Sequence, residues 1–376
     1  MYYFEYAEKD TTLYQGEATQ SVNTGLDEIL EIRKDMNSAG TVVNVTRALV
    51  KFDLGYISAS IQRGLIPTSA NYYLNLYDAN PQQLATSQSL YAYPVSQSWV
   101  MGQGTYSDVP FTKEGASWRY RDGEGVATQW VSGSNDSGGT WYSGSGYEAS
   151  QSLNIDTIDI RMKVNDIVNK WLSGTVANEG FMLKRSGSIG NTDSNAPEGS
   201  TDKLGHLSFF SRDTHTIYPP KLEVEWDDSS WTTGSLTPLT GSDLQDAVIY
   251  MRGLRPEYKE NTKHRFNFVG RTRFPRKIYS TTSQNLTVKY LPSGSTTDID
   301  GTYYSVRDAF TEDVIVPFGT GSIVSCDSNG NYFNLWLSSF QPERDYRILF
   351  QVVSGSNTTD ELDMIFDDSW EFKVKR

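Results

Sequence analysis

Arg47-Ala48-Leu49-Val50-Lys51-Phe52-Asp53-Leu54 is the stretch that decides the fold class. Ala48, Val50, Phe52 and Leu54 fall on one side of an extended chain, and Lys51 and Asp53 fall on the other. That period of two belongs to a strand with one face on a core and the other towards water. Lys221-Leu222-Glu223-Val224-Glu225-Trp226 repeats the pattern in the opposite phase. Ile348, Phe350 and Val352 repeat it near the C-terminus, as do Phe372 and Val374 between Glu371, Lys373 and Lys375. Short alternating runs separated by Gly, Ser and Asn point to sandwiches or barrels rather than to layers of helix and sheet. The 23 Tyr, 16 Phe and 9 Trp beside 31 Gly suit pleated surfaces and tight turns, so the chain reads as all-β.

One segment has a different period. Val164, Ile167, Val168, Trp171 and Leu172 are spaced i, i+3, i+4, i+7 and i+8, the apolar stripe of a short helix, and Gly174 stands where such a helix ends. Two stretches read as loops: the Gly- and Ser-rich run from Ser132 to Gly146, placed on the surface with Trp141 and Tyr142, and the polar run from Ser186 to Asp202.

At 376 residues the chain is long enough for two cores. Composition shifts after Trp226 to Asp227-Asp228-Ser229-Ser230 and then to Thr, Gly, Ser and Pro up to Gly241. The expected division is therefore residues 1–228, a linker over 229–241, and a second domain over 242–376. With 33 basic and 46 acidic residues the net charge is −13, which repels phosphate backbones; nucleic acid is not expected as the main partner. Cys326 is the only cysteine, so neither an internal disulfide nor a thiolate metal cluster can form within one chain, and assembly in a reducing cytoplasm fits. No window is apolar enough to span a bilayer, and no secretion signal is expected at Met1-Tyr2-Tyr3-Phe4-Glu5.

Several separated blocks, in order, carry a family resemblance. They are Asp10-Thr11-Thr12-Leu13-Tyr14, Asn23-Thr24-Gly25, the block from Arg47 to Leu54, Ser98-Trp99 with Gly102-Gln103-Gly104-Thr105, and Gly115-Ala116-Ser117-Trp118. Trp130, Gly138-Gly139, the helix with Trp171, the run from Asn178 to Lys184, Ser211, and Pro219-Pro220-Lys221-Leu222-Glu223-Val224 continue the series. Residues 1 to 228 resemble the DNRLRE family, whose relatives include disaggregatase-associated domains and some carbohydrate-binding modules. The resemblance implies a jelly-roll-like β-sandwich that serves as a surface or binding module without catalysis. Thr140 follows Gly138-Gly139 where the family pattern often has an acidic residue, so no metal or glycan site is carried over. From about Gly241 the chain looks like structural proteins of tailed bacteriophages. The segments concerned are the run from Gly253 to Lys259, the run from Tyr304 to Ala309, Ser325-Cys326-Asp327-Ser328, and the run from Pro342 to Phe350. This portion is expected to be a smaller, immunoglobulin-like β-sandwich.

The common signatures of chemistry are missing. No Gly-rich loop ends in Lys-Ser or Lys-Thr, the three histidines (His206, His215, His264) have no metal-ligand spacing, and no Asp-x-Asp-x-Asp-Gly loop is present. Trp118, Tyr120, Trp130, Trp141 and Tyr142 are aromatic residues in Gly-rich segments. Core positions suit Trp118 and Trp130, whereas Tyr120, Trp141 and Tyr142 are the ligand or interface candidates. The segment Arg252–Lys277 gathers nine cations against Glu257 and Glu260, among them the interface candidates Arg255, Arg265, Arg271 and Arg273. Docking on an acidic face of a neighbour ranks first for it, protection of a strand edge second and nucleic acid third.

The expectation is a non-enzymatic component of a tailed-phage virion, in the tail, neck or baseplate, assembled in the host cytoplasm without cofactor or metal. Its expected partners are other virion proteins and copies of itself. The competing expectation is a carbohydrate-binding or adhesion module that meets a host-surface glycan through the aromatic loops. No membrane partner is expected.

Overall fold

The structure is a computed structural model and describes the whole chain except residues 83, 85, 86, 126, 127, 132–137, 155–157, 187–197, 203, 275–278, 280, 283–286, 295–299 and 356–360. It is mostly strand, 44% against 8% helix, and several sheets curl into near-barrels, so the all-β sandwich class expected from the alternation is the one observed. Two compact units divide the chain: Glu5–Val224, and Met1–Phe4 together with Glu225–Arg376.

The larger unit is built on β1 (Tyr2–Tyr14), β2 (Ile29–Met36), β3 (Val42–Phe52), β4 (Asn71–Leu76), β5 (Gln88–Pro94), β6 (Ala149–Leu153), β7 (Ile160–Lys163), β8 (Phe181–Lys184), β9 (His206–Phe210) and β10 (Lys221–Glu225). Helices α1 (Gly55–Gln62) and α2 (Asn165–Leu172) complete it. The sheet order is β6-β5-β8-β3-β1-β10-β4-β7, with β2 bridging β3 and β9. Its end strands β6 and β7 lie side by side. Gln151 of β6 joins them with its side-chain amide: Nε2 donates to the Asp159 carbonyl at 3.1 Å and Oε1 accepts the Arg161 N–H at 2.9 Å. One side chain thus supplies the donor and acceptor that a paired strand would offer.

α2 forms where the stripe predicts it, and Ile167, Val168 and Trp171 are buried. Trp171 meets Phe181 of β8 edge-on at 4.6 Å, and Phe181 in turn contacts Phe52 of β3. α1 is a second short helix, absent from the sequence expectation because it buries only Ile57 and Ser60 and so lacks a strong apolar stripe.

β3 departs from simple alternation. The face opposite Ala48 and Val50 was expected to meet water near Lys51, yet Val45, Arg47 and Leu49 on it are buried. Leu13, Val95, Trp99, Ala116, Trp118, Trp130 and Met182 close over Val45 and Leu49 as a second apolar cluster. The chain between β5 and β6 supplies five of these residues; where described it is largely loop with isolated bridges, held at its base by Asn23. The Asn23 amide donates to the carbonyls of Met101 (2.7 Å) and Ala116 (2.8 Å) and accepts the N–H of Gly104 at 2.9 Å. The blocks Asn23-Thr24-Gly25, Gly102-Gln103-Gly104 and Gly115-Ala116 therefore meet in one knot.

The smaller unit contains β11 (Thr237–Pro238), α3 (Ser242–Gln245), β12 (Ala247–Arg252), β13 (Glu257–Lys259), β14 (Lys263–Thr272), β15 (Lys289–Tyr290), β16 (Gly301–Asp308), β17 (Val314–Val316), β18 (Ser325–Asp327), β19 (Gly330–Trp336), β20 (Arg344–Ser354) and β21 (Leu362–Lys375). One sheet runs β11-β15-β14-β19-β18 with β12 also on β14, and the other runs β13-β21-β20-β16-β17. Phe268 of the first stacks on Phe350 of the second, and Phe333 stacks on Tyr304, each at 4.3 Å. Such ring pairs add about 0.5–1.5 kcal/mol beyond the area they bury.

Two boundaries differ from the composition-based division. Residues 229–241, expected as a linker, carry β11, a parallel bridge from Trp231 to Cys326, and a fully buried Leu239. Tyr2 and Phe4 belong to the smaller unit's core, although residues 1–228 were assigned to the first domain. Both corrections have one cause: apolar side chains in polar or terminal surroundings still go where a core accepts them.

Candidate functional site

In the larger unit the aromatic candidates are largely built into the structure. Trp118 and Trp130 are core residues, as their block positions suggest. Tyr120, taken as a ligand or interface candidate, is buried and bridges to Gln129. Trp141 is half-buried against the second apolar cluster, with the Arg47 guanidinium and the Lys184 ammonium each 5.0 Å from its ring. That contact uses ring surface that an external sugar or protein would need. Tyr142 is 37% exposed and lies 5.7 Å from Tyr147.

Beneath Trp141 is a charged cluster that the sequence reading missed. Arg47 donates from Nε and Nη2 to both oxygens of Glu198, each at 2.8 Å, and from Nη1 to the Gly138 carbonyl at 2.8 Å. Lys184 Nζ lies 3.1 Å from the same carboxylate, and all three side chains are essentially buried. Burial pushes Lys184 down to about 8 against the opposing pull of Glu198. The adjoining Gly138 and Gly139, in a stretch expected on the surface, are buried with φ of 86° and 87°. A Cβ on Gly138 would come within 2.5 Å of Arg47 Nη1, and one on Gly139 would collide with Met182. These glycines are thus a packing requirement. Residues 132–137 of that stretch, and 187–197 of the second polar run, lie outside the described residues.

The basic segment belongs to the smaller unit. Along β14, Phe266 and Phe268 face the core while Lys263, Arg265 and Asn267 face out, as alternation requires. Arg265 lies flat on Tyr332, its guanidinium carbon 3.5 Å from the ring centroid. It donates to Asn267 Oδ1 at 3.0 Å and to Asp327 Oδ2 at 2.5 Å. Partial burial pushes the Asp327 carboxyl up, but Arg265 and Asn329 outweigh it and hold the group below the usual carboxylate range. Arg255 is exposed, and its backbone N–H donates to the Tyr258 hydroxyl at 2.9 Å. Arg271 donates to the backbone carbonyls of Thr272 (3.1 Å) and Arg273 (3.4 Å). Among the described residues, none of Arg252, Arg255, Arg271 and Arg273 has a carboxylate within ion-pair reach. Phe274, next to Arg273, is 74% exposed; Arg276 and Lys277 lie outside the described residues.

Arg265 and Arg271 thus lie on β14 and Arg273 just past its end, Arg255 lies in the loop between β12 and β13, and the aromatic candidates belong to the other unit. Among the described residues no group of three or more His, Cys, Asp or Glu side chains could hold a metal ion, and no helix is long and apolar enough to cross a membrane. No protein-family model matches the chain, and no curated protein matches it either.

Proposed function

We propose that the chain is a non-enzymatic structural subunit of a tailed-bacteriophage particle, in its tail, neck or baseplate, and that it works by docking to other subunits, copies of itself included. The observation that carries this reading is the end of β14, where Arg271 and Arg273 stand without a carboxylate partner among the described residues, beside the exposed ring of Phe274. Arginine and aromatic side chains are the residues that protein interfaces favour. On a chain of net charge −13, a local positive surface finds its complement on the acidic surface of another copy. The particle itself is supported by the likeness of the segments from Gly253 to Lys259 and from Pro342 to Phe350 to tailed-phage structural proteins, and the β-sandwich class suits repeated subunit contact.

The test is the mass of the purified full chain by light scattering at low and high salt, beside the double substitution Arg271→Glu/Arg273→Glu. The expected result is an oligomer that shrinks in salt and is lost in the variant, because exposed charge pairs are screened beyond about 10 Å at 0.1 M. A monomer at every concentration and salt sinks the docking reading.

A further inference from the structure

The outer face of the same sheet is hollowed at the other end of the β12–β14 pair. Ala247 lies opposite Thr272, beside the docking arginines, whereas Arg252 lies opposite Asn267. Five residues of strand separate these positions, roughly 17 Å at about 3.4 Å per residue. Around Arg252 and Asn267 is a groove of about 400 Å³, lined also by Arg265, Asp327, Asn329 and Gly330. That size lies within the range of sites for small ligands, about 300–1,000 Å³.

The charges of the groove define what it can accept. Arg265 is engaged: Asp327 accepts from Nη2, Asn267 accepts from Nε, and Tyr332 covers its face. Asp327 is held ionised by Arg265 and by the Asn329 N–H at 2.7 Å. Arg252 is exposed and has no carboxylate partner among the described residues, so two guanidinium groups face one carboxylate and the groove keeps one uncompensated positive charge. A single carboxylate matches that charge and the planar fork of Arg252. A doubly charged phosphate would meet Asp327. Asn267 uses Oδ1 for Arg265, and its Nδ2 has no partner among the described residues, which leaves donors for hydroxyl oxygens.

We propose that this groove binds a carboxylate-bearing sugar, with the carboxylate on Arg252 and ring hydroxyls on Asn267 and the neighbouring Asn329. The site is separate from the docking arginines and does not depend on them.

Titration calorimetry of the full chain with glucuronic acid and a glucuronate-containing disaccharide tests it, with glucose and glucose 6-phosphate as comparisons. The acidic sugars are expected to bind, glucose and the phosphate to bind at least about tenfold more weakly, and Arg252→Gln to lose about tenfold, near 1.4 kcal/mol, at an unchanged melting temperature. Arg271→Glu/Arg273→Glu is expected to bind the sugars as the parent does. No binding of either acidic sugar at millimolar concentration overturns the proposal, as does equal binding of glucose or full binding by Arg252→Gln. If Arg252→Gln changes the oligomeric state and the acidic sugars do not bind, the groove belongs to subunit contact and the sugar site is wrong, while the docking reading stands.

Discussion

Arg47 opens the alternating block that decides the fold class and is 2% exposed. A charge removed from water to that extent is tolerated only when it is paired and its donors are used, and the bidentate contact with Glu198 does both. Lys184 shares that carboxylate, so Glu198 serves two buried cations at once. Glu198→Gln keeps the shape and removes the charge. Breaking a buried pair from one side costs about 3–5 kcal/mol, and that loss is expected in the urea unfolding of the full chain. A loss under about 1 kcal/mol would mean that water reaches the cluster and relieves it. Arg47 was visible in the sequence as part of a recognisable block, but its partner was not. Glu198 lies 151 residues away in a polar run whose composition reads as solvent-exposed, and no local pattern links two residues across that distance.

Among the elements, the sequence reported those with a period. β3, β10, β20, β21 and α2 were legible because burial on one face leaves a repeat of two or of 3.6 in the residues themselves. The cover over the second face of β3 has no period. It is made of tryptophans at irregular spacing on loops fixed by Asn23, and its residues were recognisable only as resemblance blocks. The groove at Arg252 was half visible: the basic run pointed to the strand, but Asp327 and Asn329 reach it only through the pairing of β14 with β19 and the turn before β19. The contact of β6 with β7 was not legible at all, since Gln151 is an ordinary polar residue on an alternating strand. Its two hydrogen bonds stand in for strand pairing, so Gln151→Ala is expected to cost about 1–2 kcal/mol. The same change should speed hydrogen exchange at the Arg161 amide selectively, because that N–H donates to Gln151 Oε1. Exchange at Arg161 unchanged by the substitution would show that the side chain is incidental to closure.

For the whole molecule, the consequential feature is that the smaller unit is discontinuous in sequence. Composition placed its start after a Ser- and Thr-rich run, and that run does begin near the unit's continuous part; the four residues at the far end of the chain carry no signal of where they pack. Phe4 meets Phe340 edge-on at 6.5 Å and stacks with Tyr2, while Tyr3 meets Trp336 at 5.5 Å. The Tyr2 hydroxyl donates to Glu225 Oε1 at 3.1 Å, and the Gly321 N–H reaches the same oxygen at 3.2 Å. Removing one buried aromatic side chain from a core costs about 3–5 kcal/mol, and a domain has only about 5–15 kcal/mol in total. A fragment of residues 225–376 lacks Tyr2, Tyr3 and Phe4 together, so it is expected to show no cooperative thermal transition and poor dispersion of its amide resonances. Phe4→Ala in the full chain tests the same dependence without truncation and is expected to cost about 3–5 kcal/mol. A fragment that unfolds cooperatively, with a full-length Phe4→Ala chain as stable as the parent, would place the folding determinants of this unit entirely within Glu225–Arg376.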